Sequence, residues 1–309
     1  ATSGAAVIGA AATTGISVGG IPFYSADNSI YTHDVSGTDS TASQNTAYGI
    51  TALDAITTGD NNVAIGFGAA TALNSGAENI AVGKGALGTA TTATQCVAIG
   101  QNAGNAVTTG GAVNLVAIGH GAYNGAGDTE TNNLAIGVSA MLGPSLAGAE
   151  FNVAIGNFAL DALTSGDKNT VVGYNAGTAI TTGSENTAMG EGALATNTTS
   201  SYNTAVGHTA LAANTGAANT AVGRDALEAN TTGGSNTAVG YDALEANTDA
   251  DGNTAVGHSA LKANTGASNV AVGTDALKAN TTTTGNVAVG FEAGKIVTDG
   301  AGILAIGYR

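Results

Sequence analysis

The chain has 309 residues, with 7 Lys+Arg against 22 Asp+Glu and a net charge of -15. Acidity of this size repels nucleic-acid phosphates and anionic lipid surfaces, which argues against nucleic-acid partners and membrane-surface binding. Only 9 % of residues are charged and 4 % aromatic, with 48 glycines and no tryptophan, so a thick core of large side chains is excluded and the layers must lie close together.

The single cysteine, Cys96, excludes an intrachain disulfide, and no zinc-ligand spacing exists. There is neither a charged segment leading into an apolar leader nor a run of eighteen apolar residues. A leader and anchor are therefore expected to have been removed or never to have existed, and membrane insertion is not expected.

Residues 1–44 follow no repeat. Val7-Ile8-Gly9 and Ile16-Ser17-Val18-Gly19 read as short strands. The stretch from Ile21 to Thr41 holds Pro22, Phe23, Tyr24, Tyr31, His33 and three aspartates, Asp27, Asp34 and Asp39. A repetitive roll needs an atypical end to cover its first layer. This segment is read as that cap, or as a joint to another part of an assembly.

From Asn45 to the C-terminus one short unit recurs, as in Asn236-Thr237-Ala238-Val239-Gly240. Sixteen copies end at glycines from Gly49 to Gly307, spaced 16 to 19 residues apart. A fixed short period means stacked rungs rather than a second closed core. Each rung has one plan. Asn236 to Val239 reads as a first strand that Gly240 closes. Tyr241 to Ala246 is a second short element, and Asn247 to Gly252 a turn. Ala-Leu-Glu-Ala favours helix locally, but a helix about 10 Å wide does not fit rungs stacked at strand spacing. The second element is therefore expected to be strand or irregular extended structure.

Alternation splits the first strand into two faces. One carries pairs such as Val63/Ile65, Ile80/Val82 and, later, Thr237/Val239. The other carries Asn, Ala and Gly. Neither is charged, so both should be covered: one by the roll interior, the other by identical neighbouring subunits. Leucines four residues after the glycine (Leu87, Leu160, Leu194, Leu211, Leu227, Leu244, Leu261 and Leu277) should plug the interior. The next position (Asp161, Glu228, Glu245, Lys262 and Lys278) should point to water. Rungs five and six have longer spacings and Pro144, and should carry bulged loops.

The structural signature is the Asn and Gly columns, including Asn62 and Gly66, Asn169 and Gly173, Asn236 and Gly240, and Asn286 and Gly290. Stacked asparagine amides can bond up a column at the turn-to-strand corner. Cys96 occupies the asparagine place in its rung, where a small buried thiol fits. No base is suggested beside it.

These units, Asn-Thr-Ala-Val-Gly followed by x-x-Ala-Leu-x-Ala-Asn-Thr, resemble the head repeats of trimeric autotransporter adhesins. They are still more similar to repeats in bacteriophage tail-fibre proteins. The resemblance covers about residues 45–309 and rests on sixteen registered copies. It implies an all-β, left-handed parallel β-roll solenoid of about sixteen short rungs, assembled as a homotrimer. It also implies attachment to a host surface. The heptad-rich stalk and membrane barrel of the adhesins, and the self-cleaving end domain of many phage fibres, have no counterpart here. An end in mid-rung at Ile306-Gly307-Tyr308-Arg309 fits a processed or truncated fibre.

No catalytic constellation emerges. A hydrolase would need paired carboxylates in a groove, whereas Asp60, Glu78, Glu150, Asp167, Glu185, Asp249 and Asp251 fall in turns or at solvent positions. Asp249-Ala250-Asp251-Gly252-Asn253 opens like a calcium loop, but the twelfth position is Ala260, not Glu. No cofactor and no dedicated metal site is expected, and Ca2+ enters only as an incidental ion between stacked turns. Threonine pairs such as Thr181-Thr182 and Thr231-Thr232 raise ice binding, which needs a flat regular ladder that turns of varying length do not supply.

The residue after each glycine varies most. This column includes His120, Tyr174, His208, Tyr241, His258 and Phe291, and reads as a tolerant solvent corner or as a contact column for sugar or protein. At about 4.8 Å per rung, His208 and His258 lie about 14 Å apart, too far for one metal. The expectation is a non-enzymatic fibre protein on a virion or bacterial cell surface, extracellular and on the order of 75 Å long. Its partners would be itself as a homotrimer, other fibre or virion proteins, and a host-surface glycan or protein. The alternatives are a bacterial trimeric adhesin head and a calcium- or ice-binding solenoid.

Overall fold

A computed structural model of the chain describes residues 12–18, 21–26, 29–31, 41–105, 107, 114–125, 132–146, 148–298 and 300–308. It divides into two compact units, Ala1–Ser139 with Leu146–Gly148, and Ala140–Ser145 with Ala149–Arg309. Each is an all-β parallel solenoid, and no helix occurs among the described residues.

The first unit opens with β1 (Ala12–Val18), β2 (Ile21–Ala26) and β3 (Ser29–Tyr31), paired antiparallel in sequence. β1 contains the expected strand around Ile16, while Val7–Gly9 lies outside the described residues. β3 then pairs in parallel with β4 (Thr46–Tyr48), the first rung. Five more rungs follow, β5 (Val63–Ile65), β6 (Ile80–Val82), β7 (Val97–Ile99), β8 (Val116–Ile118) and β9 (Leu134–Ile136), each in parallel register with the last. Of the loops expected to bulge in rungs five and six, residues 126–131 lie outside the described residues, while Pro144 sits in an exposed bend.

The second unit stacks ten rungs, from β10 (Val153–Ile155) and β11 (Thr170–Val172) through β12 (Thr187–Met189), β13 (Thr204–Val206), β14 (Thr220–Val222) and β15 (Thr237–Val239). It continues with β16 (Thr254–Val256), β17 (Val270–Val272), β18 (Val287–Val289) and β19 (Leu304–Ile306). Equivalent residues face each other throughout, Thr220 on Thr237 and Thr237 on Thr254.

Alternation along each three-residue strand sorts its side chains. The central residue is buried, as at Ala64, Ala238 and Ala288, while its neighbours face outward. The β-branched pair is thus on the outside and the Asn-Ala set on the inside. The leucine column fills the facing wall: Leu87, Leu160, Leu194, Leu211, Leu227, Leu244, Leu261 and Leu277 are all fully buried. A bulky wall opposite a small one suits a thin roll.

The second element is neither strand nor extended, contrary to expectation. It is two successive tight turns. In one rung Ala243 N–H donates to Gly240 O at 3.3 Å and Asn247 N–H to Leu244 O at 3.1 Å. Leu244 sits at φ 54° and Asp242 at φ 55°, left-handed values that side chains other than glycine normally avoid. Burial of the leucine and bonds to the next rung offset that cost. Leu244 N–H donates to Ala260 O at 3.1 Å and Ala246 N–H to Lys262 O at 3.0 Å. Stacking therefore overrides the helical preference of Ala-Leu-Glu-Ala.

Candidate functional site

The corner between strand and turn is built on glycine and asparagine. Gly240 has φ 141°, and a Cβ there would stand 2.4 Å from Gly257 O. Gly66, Gly173 and Gly290 have the same geometry against the next rung. Only a residue without a side chain lets rungs approach this closely.

Just before most rung strands, a buried asparagine amide bonds in two directions. Asn62 Oδ1 accepts the Asn79 N–H at 3.0 Å, and Asn62 Nδ2 donates to Gly76 O at 3.0 Å. In the second unit the ladder includes Asn169, Asn236 and Asn286, whose Oδ1 accepts the Ile303 N–H at 2.9 Å. Cys96 takes its place in the first unit, its N–H donating to Asn79 Oδ1 at 3.0 Å. Burial pushes the Cys96 thiol up to about 11, against main-chain hydrogen bonds with Leu115 and Thr94. A protonated buried thiol is a poor nucleophile.

A second asparagine column escaped the sequence reading. Asn197, Asn214, Asn230, Asn247, Asn264 and Asn280 are fully buried. Asn230 Nδ2 donates to Asn214 Oδ1 at 2.7 Å, and Asn247 Nδ2 to Asn230 Oδ1 at 2.8 Å. The recurrent Ala-Asn-Thr was its signal. The same place holds Ile56 and Leu73 in the first unit, and Leu163 and Ile180 at the start of the second.

The charged positions after the leucines do not simply face water. Lys262 Nζ donates to Asp242 Oδ2 at 2.6 Å and pairs with Glu245 at 2.8 Å. Those bonds, to Asp242 first and then Glu245, hold the Lys262 ammonium well above its usual range. Asp275 is held between Lys278 at 3.0 Å and Lys295 at 2.9 Å. Burial alone would raise its carboxyl, but the bonds to Lys295 and Lys278 and their charges outweigh it, and the net shift is downward. Asp161 is pushed up by burial, opposed by a main-chain hydrogen bond.

Three of the turn acids are occupied in joining rungs. Asp60 Oδ1 accepts the Ser43 N–H at 2.7 Å, Asp167 Oδ1 the Glu150 N–H at 2.9 Å, and Asp251 Oδ1 the Gly234 N–H at 2.7 Å. Asp249 Oδ1 accepts from Thr248 Oγ1 at 3.2 Å. Among the described residues no group of three or more His, Cys, Asp or Glu is placed to hold a metal ion.

The variable column after each glycine is solvent-facing in both units. His120, in the first unit, is exposed. In the second unit the column forms specific contacts. Tyr174 meets Phe158, one place past the column, edge-on with centroids 6.2 Å apart, and Phe291 stacks on Tyr308 at 5.3 Å. Tyr241 stacks nearly parallel on His258 at 5.4 Å, and Arg224 Cζ lies 5.6 Å from the Tyr241 ring centre. Behind them Asp225 Oδ2 pairs with Arg224 Nε at 3.0 Å, and its Oδ1 lies 3.7 Å from His208 Nδ1. His208 is thus joined to the cluster through Asp225.

The outward strand face is the other conspicuous surface. It carries Ile65, Ile80 and Ile99 in the first unit and Val222, Val239, Val272 and Val289 in the second, each 36–41 % exposed. No charged residue occupies a strand position from β4 to β19. In the second unit Thr170, Thr187, Thr204, Thr220, Thr237 and Thr254 form a register-matched column on it. Among the described residues no helix is long and apolar enough to cross a membrane. Compared with known protein families, characterised proteins and solved structures, the chain shows no significant match to any.

Proposed function

We propose that this chain is the rigid repeat body of a homotrimeric attachment fibre, with left-handed rungs, carried outside the cell on a virion or a bacterial surface. The supporting observation is the uncharged outward strand face. A regular column of half-exposed Val, Ile and Thr, one pair per rung, is costly to leave in water and suits burial against identical copies. Three copies would cover each other's faces and leave turns and corner columns outside. The role is mechanical reach and adhesion rather than catalysis, since three of the turn acids and the buried thiol are engaged in holding rungs together.

Light scattering of the intact chain tests this. A species of about three times 29.4 kDa is expected. The double variant Val222→Lys, Val239→Lys should shift it toward 29.4 kDa, because a buried unpaired ammonium is strongly unfavourable. A monodisperse wild-type monomer would defeat the trimer.

The threonine column favours a second reading, ice binding. Six hydroxyls alternate with six apolar side chains on one regular sheet. Thermal hysteresis in the wild type, lost in Thr220→Lys, would favour it; no hysteresis would remove it.

A further inference from the structure

We propose that the second unit carries a docking line for an acidic, carboxylate-bearing saccharide, formed by His208, Arg224, Tyr241 and His258. This rests on the reading of the chain as an attachment fibre and names a ligand class for its surface. The four residues follow one another on successive rungs in the column after the glycine. At about 4.8 Å per rung the line spans about 14 Å, the reach of a few linked sugars.

Three features make the line a prepared surface. First, the side chains are held before any ligand arrives. The Tyr241 ring has His258 on one side, at 5.4 Å and 9°, and the Arg224 guanidinium 5.6 Å from its centre. Stacking of this kind lowers the entropy lost when a ligand orders them. Second, the stacked rings stand at an exposed corner. What they offer is hydrogen-bonding capacity: the Tyr241 hydroxyl and the ring nitrogens of His258. Asp225 engages Arg224 through Nε at 3.0 Å, which leaves the two Nη groups for an acceptor outside the chain. A guanidinium presenting paired N–H groups matches the two oxygens of a carboxylate.

Third, of the neighbouring acids, Asp225 is paired with Arg224 itself and two others are engaged elsewhere. Asp242, beside Tyr241, is buried and bonded to Lys262, and Asp275, near His258, is held by Lys278 and Lys295. Arg224, by contrast, is 61 % exposed. The overall charge of -15 opposes every anionic ligand, so binding must come from the local contacts of Arg224. A sulfated or phosphorylated polymer with several charges per residue is repelled most. A sugar chain with one carboxylate per residue carries fewer charges and brings many hydroxyls for Tyr241 and the histidines.

The test is titration calorimetry of the intact chain with three probes: hexagalacturonate, hexamannuronate and a sialylated hexasaccharide. Maltohexaose and a heparin hexasaccharide serve as neutral and sulfated comparisons. At least one acidic probe should bind with Kd of about 1 mM or tighter, and both comparisons more weakly. Arg224→Gln should weaken it about tenfold or more, Arg224→Lys should not restore it, and Lys168→Ala, elsewhere on the unit, should leave it unchanged. The proposal is overturned if no acidic probe binds, if maltohexaose or heparin binds as well, or if Arg224→Gln binds like wild type. It is also overturned if Arg224→Gln alters the solution mass, which would place the column in a subunit seam. A trimer that binds no acidic probe defeats this inference alone, whereas a monomer that binds defeats the fibre reading and leaves the line standing.

Discussion

Replacing Asn236 by alanine tests how the interior is held. The Asn236 side chain is buried and makes two bonds: Oδ1 accepts the Asn253 N–H at 2.8 Å, and Nδ2 donates to Ala250 O at 2.8 Å. The Asn236 main-chain N–H keeps its own partner, Asn219 Oδ1, in the variant. Ala250 O also keeps a partner, because Asn247 Nδ2 donates to it at 3.1 Å. The Asn253 N–H keeps none. The loss is therefore one hydrogen bond, about 1 kcal/mol, plus an orphaned buried amide at about 1–3 kcal/mol. Asn236→Ala should cost about 2–4 kcal/mol in urea unfolding at fixed protein concentration. Exchange of the Asn253 amide should accelerate locally. Thr248→Ala, at an exposed turn position, should stay within about 0.5 kcal/mol of wild type. A loss below about 0.5 kcal/mol for Asn236→Ala, or an Asn253 amide as protected as before, would refute the ladder as a source of stability.

Gly240→Ala places a methyl against the Gly257 carbonyl in a left-handed backbone region. It should cost at least about 2 kcal/mol and lower the melting temperature, and a wild-type melt would contradict the close-approach reading. Cys96, with its thiol pushed up to about 11, should resist a thiol reagent at pH 8 until denaturant is added; rapid labelling of the native protein would show that it is not buried. The Asp275 carboxyl is held below its ordinary range by Lys295 and Lys278. Its contribution is therefore present above the ordinary carboxylate pKa and lost as pH falls through the lowered value. Asp275→Asn should flatten the acid limb of the melting curve. An unchanged acid limb would show that the pair contributes nothing.

Much of the architecture is legible along the chain because its causes are local. The spacing of Gly240, Gly257 and their equivalents sets the rung length. The alternation in Thr237-Ala238-Val239 sets two faces, and Leu244 with its equivalents marks an interior wall. The orientation of the strand was not legible, since neither face is charged and polarity gives no vote. Packing decides it: Ala238 fits opposite Leu244, and a β-branched pair in its place would overfill a thin roll. The turn at Leu244 was misjudged because propensity describes an isolated segment, and bonds from Leu244 and Ala246 to the next rung reward a conformation that the segment would not choose alone.

The candidate surface divides in the same way. Its column could be read from the position after each glycine, because the period returns those residues to one line. Which of them touch could not, since stacking depends on what neighbouring rungs present. Tyr241 has Arg224 and His258 on adjacent rungs and stacks with both, while Asp225 orients Arg224 from behind. The repeat and its columns are thus properties of the order of residues, because periodicity is a one-dimensional fact. The inward turn of Ala238, the left-handed leucines and the Arg224–Tyr241–His258 stack belong to the fold, because each depends on atoms some 17 residues away along the chain and one rung away in space.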